Sequence, residues 1–250
     1  MLVLSGGDIA VASEVEKTIK IFDRTGRPVN VTFDDADTGG AKLWSASNAF
    51  PRQMALSSTG ELWVAGAISN GIPGLAVFKP SNGQLIRFVP RPGTDNTPYV
   101  ALIRRDDGKM MAGHSKILAL FDEKTYEPTT GSPFTGIDHG AFAGSFLFFY
   151  PWGPGLTLAT AGAATGSNSD ASLCVIDATL AVRNKKVLAN TYYRFFGVAP
   201  QGSDLLMPTT FGVYSKVHRF SSALDEITPA YTLDKTNYPS TRGIVKLRAP

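Results

Sequence analysis

The densest run of potential metal ligands in this chain is Asp34-Asp35-Ala36-Asp37-Thr38-Gly39-Gly40, alternating acids followed by glycines, a composition that can wrap a calcium ion. A helix-loop-helix calcium loop closes with a glutamate at its twelfth position, where Ser45 or Ala46 falls here, so a solvated loop is the simpler reading. The three histidines, His114, His139 and His218, lie 25 and 79 residues apart, a spacing that puts no two on one face and argues against zinc. Cys174 sits in the apolar run Ser172-Leu173-Cys174-Val175-Ile176, the setting of a buried small hydrophobe rather than a nucleophile, and it has no second cysteine to bridge to. No G-x-S-x-G elbow, Walker loop or Cys-x-x-Cys pair occurs. The residues therefore predict no catalytic group, no metal and no cofactor.

What does recur is asparagine just ahead of predicted strands: Asn48-Ala49-Phe50-Pro51, Asn96-Thr97-Pro98-Tyr99, Asn190-Thr191-Tyr192-Tyr193 and Asn237-Tyr238-Pro239, with Asp138-His139 in the same place once. Asn48, Asn96, Asp138, His139, Asn190 and Asn237 are thus the candidate binding residues, a ring of polar side chains at the strand-entry loops. The simpler alternative is that each bonds its own backbone to make the turn into its strand. Two aromatic runs, Phe146-Leu147-Phe148-Phe149-Tyr150-Pro151-Trp152 and Tyr192-Tyr193-Arg194-Phe195-Phe196, suit packing between sheets. Trp152, Tyr192 and Tyr193 fall near strand ends, where aromatics can anchor a protein partner.

Positioning such residues is a matter for a fold rich in tight turns. In 250 residues, 25 glycines and 16 prolines are scattered through an otherwise ordinary globular composition of 43% hydrophobic and 18% charged residues. Net charge is +3, and Arg104-Arg105 and Lys185-Lys186 are the adjacent basic pairs, so no basic stripe marks a nucleic-acid partner. The most apolar region, residues 141–166, is broken by Pro151, Pro154 and several glycines below the length of a membrane-spanning helix, and two strands around a turn explain it. Met1-Leu2-Val3-Leu4 lacks a basic n-region and runs at once into Gly6-Gly7-Asp8, too short for a secretory signal, which predicts the cytoplasm or a virion assembled there.

Two markers repeat in phase. The turn glycines Gly7, Gly60, Gly108, Gly155 and Gly202 are spaced by 53, 48, 47 and 47 residues, and each is followed by a short strand. A second anchor follows each: Ile21-Phe22-Asp23, Val77-Phe78-Lys79, Leu120-Phe121-Asp122, Val175-Ile176-Asp177 and Arg219-Phe220-Ser221. Between Ser57 and Val89 one unit is legible in full. Thr59-Gly60 is a turn, 62–67 a strand, Asn70-Gly71 with Pro73-Gly74 a loop, 75–78 a strand, Asn82-Gly83 a hairpin turn and 85–89 a strand. A period near 47 with four short strands per copy predicts an all-β fold, a β-propeller of about five to six four-stranded blades forming one domain over 1–250. The blades are expected at about 1–47, 48–94, 95–140, 141–190 and 191–236. In the third, Pro128 and Pro133 weaken the outer strand. A strand over 243–247, within 240–250, either closes the ring or begins a further blade.

Gly7-Asp8-Ile9-Ala10-Val11-Ala12-Ser13 followed by Thr18-Ile19-Lys20-Ile21-Phe22-Asp23-Arg24-Thr25-Gly26 resembles the blade pattern of the NHL-repeat and gluconolactonase-like β-propellers. That resemblance implies the architecture and, for the gluconolactonase-like branch, a divalent metal held by Glu, Asn and Asp near the channel to polarise a lactone carbonyl. The inner strands Met54-Ala55-Leu56, Val100-Ala101-Leu102, Phe146-Leu147-Phe148 and Phe196-Gly197-Val198 carry no carboxylate. The only converging oxygens on offer are the loop asparagines with Asp95 and Asp138. The expected function is therefore a non-enzymatic protein-binding or structural module, such as a subunit of a phage virion or tail, with no nucleic acid and no membrane insertion. The alternative is a metal-dependent lactone hydrolase.

Overall fold

The computed structural model describes residues 1–94, 96–140, 144–163, 171–188, 198–201, 204–211, 214–227 and 231–232. Every regular element among them is a β-strand, and no helix is long and apolar enough to cross a membrane. The chain divides into two compact units, Met1–Thr135 and Gly136–Pro250.

The first unit holds three antiparallel sheets, each a meander in chain order. Sheet one is β1 (Leu2–Val3), β2 (Ile9–Ser13), β3 (Thr18–Phe22) and β4 (Pro28–Val29); sheet two is β5 (Met54–Leu56), β6 (Leu62–Ser69), β7 (Ile72–Phe78) and β8 (Leu85–Pro90). Sheet three is β9 (Ala101–Arg104), β10 (Lys109–His114) and β11 (Ile117–Asp122). Its fourth place is taken by an irregular segment that meets β11 at the isolated bridges Phe121↔Pro128 and Leu118↔Phe134 and through Thr129 N–H to the Leu120 carbonyl, as prolines at an edge allow. The second unit holds sheet four, β12 (Gly144–Gly153), β13 (Leu156–Ala163), β14 (Ala171–Ile176) and β15 (Val182–Leu188). It also holds sheet five, β16 (Ala199–Gln201), β17 (Asp204–Phe211), β18 (Tyr214–Phe220) and β19 (Tyr231–Thr232).

Sheet two explains why its strands read as continuous apolar runs. Leu62, Val64, Ala67, Ala76 and Phe78 face a core shared with Ile19, Ile21, Leu43 and Trp44, while Trp63, Ala65, Leu75 and Val77 face another shared with Tyr99, Leu102, Met110 and Phe121. Side chains alternate between these two cores, so a strand buried on both faces loses its polar positions. In the second unit, Leu158, Leu173 and Val175 of sheet four pack with Leu205, Met207 and Phe220 of sheet five. Cys174 lies fully buried in β14, where desolvation pushes its thiol up to about 12.

One expectation is corrected. Pro73 and Gly74 belong to β7, and the hairpin before them is the two-residue turn Asn70-Gly71, both at positive φ. Gly74 is a strand residue because a Cβ there would stand 2.4 Å from the Val89 carbonyl oxygen and 2.5 Å from the Phe88 ring.

The second marker has a physical cause. At each anchor the chain turns from the third strand to the fourth: Asp23 N–H bonds the Arg27 carbonyl, Lys79 that of Gln84, Asp122 that of Glu127, Asp177 that of Ala181 and Ser221 that of Asp225. Asp23, Asp122, Asp177 and Ser221 also accept backbone N–H groups on their own side chains, which is why an oxygen-bearing residue recurs there. Each turn then contains one residue at positive φ: Gly26, Gly83, Tyr126, Leu180 and Leu224.

Three of these residues seat on the sheet before their own. Gly83 lies against the segment leaving sheet one, with its carbonyl accepting Asp34 N–H at 3.0 Å. Leu224 enters the core of sheets four and five. Tyr126 stacks on Trp63 of sheet two at 5.6 Å and donates its hydroxyl to Glu61 at 2.6 Å. The Glu61 bond raises the Tyr126 phenol to about 12. A folded-state pKa above the ordinary tyrosine value means this stabilisation is intact below about pH 10 and is lost as pH rises through 12. Tyr126→Phe keeps the stacking and removes the bond. We expect urea denaturation at pH 7 to show a loss of about 1 kcal/mol, and a phenolate absorbance titration to lose a component near pH 12. A variant whose titration matched the parent's would remove this assignment.

Candidate functional site

The acidic run is committed elsewhere. Asp34 Oδ2 accepts the Leu85 N–H at 2.7 Å, Asp35 pairs with Lys42, and Asp37 accepts Gly39 and Ala41 N–H at 2.9 Å each and the Ser69 hydroxyl on its other oxygen. These bonds close a small turn bridged Ala36↔Lys42 and hold the Asp37 carboxyl below its ordinary value, the Ser69 bond foremost. Among the described residues no three of His, Cys, Asp and Glu converge.

Of the residues singled out by sequence, Asn48 and Asn96 are exposed on separate loops of the first unit. Asn190, Tyr192, Tyr193 and Asn237 lie outside the described residues, as do Asp95 and the strand over 243–247. Trp152 is half-buried against the core of sheets four and five, and His139 is fully buried with its ring edge-on to Phe146 at 4.8 Å. Asp138 makes its own turn, accepting Gly140 N–H at 3.0 Å, and its second oxygen reaches Lys185 of β15 at 2.9 Å.

That last contact marks a site within the second unit. Gly136, Ile137 and Asp138 form one wall of a groove of about 420 Å³, and Leu180, Val182, Arg183, Asn184 and Lys185 form the other. The two walls are held together at Gly140, which packs so closely on Lys185 and Val187 that a Cβ would stand 2.6 Å from the lysine Cδ. Arg183 is positioned by the turn before β15. Asp177 accepts Thr179 N–H at 2.8 Å, the Thr179 hydroxyl at 2.7 Å and Ala181 N–H at 3.0 Å on one oxygen, and Arg183 Nε on the other. The Thr179 bond leads in holding the Asp177 carboxyl down at about 2, so the anchor is charged at any physiological pH. The Arg183 side chain is nonetheless 64% exposed. An arginine fixed through Nε with its terminal nitrogens in solvent is preorganised to receive a carboxylate.

Sequence reasoning found Asp138 but not Arg183, Lys185 or Leu180. The signal was present in Val182-Arg183-Asn184-Lys185-Lys186-Val187-Leu188, a strand with three cations and an asparagine, too polar to lie inside a sheet.

No family model matches the chain, and no curated protein matches it. Solved structures do. The WD40 domain of coronin from Toxoplasma gondii superposes with a TM-score of 0.54 at 12% identity, over 92% of this chain and 57% of that one. A gluconolactonase from Xanthomonas campestris gives 0.54 at 12%, over 82% and 66%, and TolB from Acinetobacter baumannii 0.53 at 16%, over 88% and 50%. This chain thus spans less than two thirds of the length of each of these three. At such identities the likeness is one of fold, and with five meandering sheets among the described residues it makes the architecture that of a β-propeller, similar at this level to the gluconolactonase-like structures as well as to WD40 domains.

Proposed function

We propose that the chain is a non-enzymatic protein-binding module, a subunit of a larger assembly such as a virion or tail, working in the cytoplasm or in the particle assembled there. The observation that carries this reading is the groove beside β15, where a fixed, solvent-facing guanidinium stands over a cleft that has apolar and polar walls but no nucleophile or paired acid. The acids of 34–37 support it by being spent on bonds within the protein, Asp37 on its own turn and Asp34 on the Leu85 N–H of sheet two.

The competing reading is a metal-dependent lactone hydrolase, drawn from a fold that also serves a gluconolactonase. Elemental analysis of purified, dialysed protein together with a pH-stat assay on glucono-δ-lactone separates the two. We expect no stoichiometric divalent ion and hydrolysis at the buffer rate with or without added calcium or zinc. One equivalent of bound ion with metal-dependent hydrolysis would overturn the binding-module reading.

A further inference from the structure

The same tripeptide, Ser-Asn-Gly, occurs twice in sheet two, as Ser69-Asn70-Gly71 between β6 and β7 and as Ser81-Asn82-Gly83 between β7 and β8. Asparagine before glycine has a reaction of its own. The glycine backbone nitrogen, once deprotonated, can attack the asparagine Cγ, because glycine has no side chain to stand in the way. The two copies share that chemistry but are held in opposite ways.

At the first copy Asn70, Gly71 and Ile72 are all exposed, and a Cβ at Gly71 would meet nothing within 4 Å. Among the described residues neither the Asn70 side chain nor the Gly71 N–H makes a hydrogen bond. Asn70 has a φ of 49°, a sparsely populated conformation for a residue with a side chain, kept at the hairpin tip by the pair Ser69↔Ile72. At the second copy Gly83 is buried. Its N–H donates to the Lys79 carbonyl at 2.9 Å, its carbonyl accepts Asp34 N–H at 3.0 Å, and Asn82 Oδ1 accepts Gln84 N–H at 3.1 Å. A Cβ at Gly83 would stand 2.0 Å from the Thr32 carbonyl oxygen, so this turn has no room to rearrange. Bringing the glycine nitrogen onto Cγ requires the asparagine backbone to rotate. That opens one tip pair at Asn70, whereas at Asn82 it breaks several bonds and parts close-packed backbone.

We propose that Asn70 is a site of spontaneous modification, passing through a succinimide to aspartate and isoaspartate, and that Asn82 is shielded by its seat on the segment leaving sheet one. The Gly71 nitrogen bonds to Asn70 Cγ as the Cγ–Nδ2 bond breaks, and the proton lost by Gly71 leaves with the amide nitrogen as ammonia. Water then opens the ring. Attack at Cγ gives aspartate, and attack at the main-chain carbonyl gives isoaspartate, whose peptide bond runs through Cγ. Aspartate suits the same two-residue turn. Isoaspartate adds an atom to the backbone, so the tip no longer closes on Ser69↔Ile72, and Ser69 beside it is the residue whose hydroxyl bonds Asp37.

The full chain is aged at mildly alkaline pH, folded and in guanidinium chloride, then digested with trypsin and read by mass spectrometry with electron-transfer fragmentation. Lys79 precedes Pro80, so the tryptic peptide 53–87 carries both copies and one spectrum compares them. In denaturant the two asparagines should convert at similar rates. In the folded protein Asn70 should convert at least about tenfold faster than Asn82, the scale of one further hydrogen bond to be broken, with isoaspartate among its products. The aged folded protein should melt roughly 2–4 °C lower, while Asn70→Asp, which brings the charge without the added atom, should melt with the parent.

Equal conversion of the two asparagines in the folded protein overturns the proposal. So does an Asn70 that stays intact when folded over a time in which it converts in denaturant, and so does a preference for Asn70 that is as large in denaturant as in the fold. An equal fall in melting temperature for Asn70→Asp would remove the part assigned to the lengthened backbone.

Discussion

Glu123→Gln should cost about 3 kcal/mol of stability at pH 7, and the cost should vanish in acid. Glu123 follows β11, and its carboxylate is only 4% exposed. It receives Arg104 Nε at 2.7 Å and a terminal nitrogen at 3.1 Å, and reaches into sheet two for Ser58 N–H at 3.0 Å and the Ser58 hydroxyl at 2.6 Å. The Arg104 bonds lead in bringing its pKa from 4.5 to about 2. A tenfold change in an acidity constant corresponds to about 1.4 kcal/mol, which gives the ~3 kcal/mol figure. Because the folded value lies below the unfolded one, the stabilisation is complete above about pH 4.5 and drains away as pH falls toward 2. Urea denaturation of parent and variant at pH 7 and again near pH 2.5 checks this. A penalty equal at both values would assign the effect to packing instead of charge.

Gly83→Ala should be as damaging by a different route, about 3 kcal/mol or more and a marked fall in melting temperature. Its φ of 75° is one that a side chain adopts only at a cost of roughly 1–2 kcal/mol. A Cβ there would also stand 2.0 Å from the Thr32 carbonyl oxygen and 2.9 Å from the Phe33 Cα, and backbone cannot swing aside as a side-chain tip can. The clash would part the turn of sheet two from the segment that carries Phe33, whose ring meets Phe78 edge-on at 5.3 Å. Gly26, at positive φ in the matching turn of sheet one, has open space around its Cβ position, so Gly26→Ala isolates the backbone term. Equal melting points for the two variants would refute the close-approach argument.

The repeat was readable because turn chemistry is local. Gly7, Gly60, Gly108 and Gly155 all adopt positive φ, and Gly7, Gly60 and Gly108 donate back to Leu4, Ser57 and Arg105, contacts three residues long. The aspartates of the second marker close their own turns within four residues. What sequence missed depends on other strands. Pro73 and Gly74 read as a loop, and only the nearness of Phe88 and Val89 shows why glycine sits within a strand. The groove escaped for the same reason. Asp138 and Arg183 stand 45 residues apart in sequence, and nothing local to either announces that the segment 136–140 lies over β15. Asp138 stood out as a strand-entry residue, whereas Lys185 entered the sequence argument only as half of a basic pair.

The seating of Gly83, Tyr126 and Leu224 bears on how the protein is made. Each rests on the sheet that precedes its own in the chain. During synthesis, sheets two, three and five therefore meet a platform that has already left the ribosome, and the bonds of Glu123 to Ser58 and of Tyr126 to Glu61 look backward in the same sense. A nascent chain halted after sheet two still holds Ser58, Glu61 and Trp63 as the seat for residues yet to come. Assembly can thus advance one sheet at a time from the amino end, sheets two, three and five each covering an apolar face that the sheet before has left open.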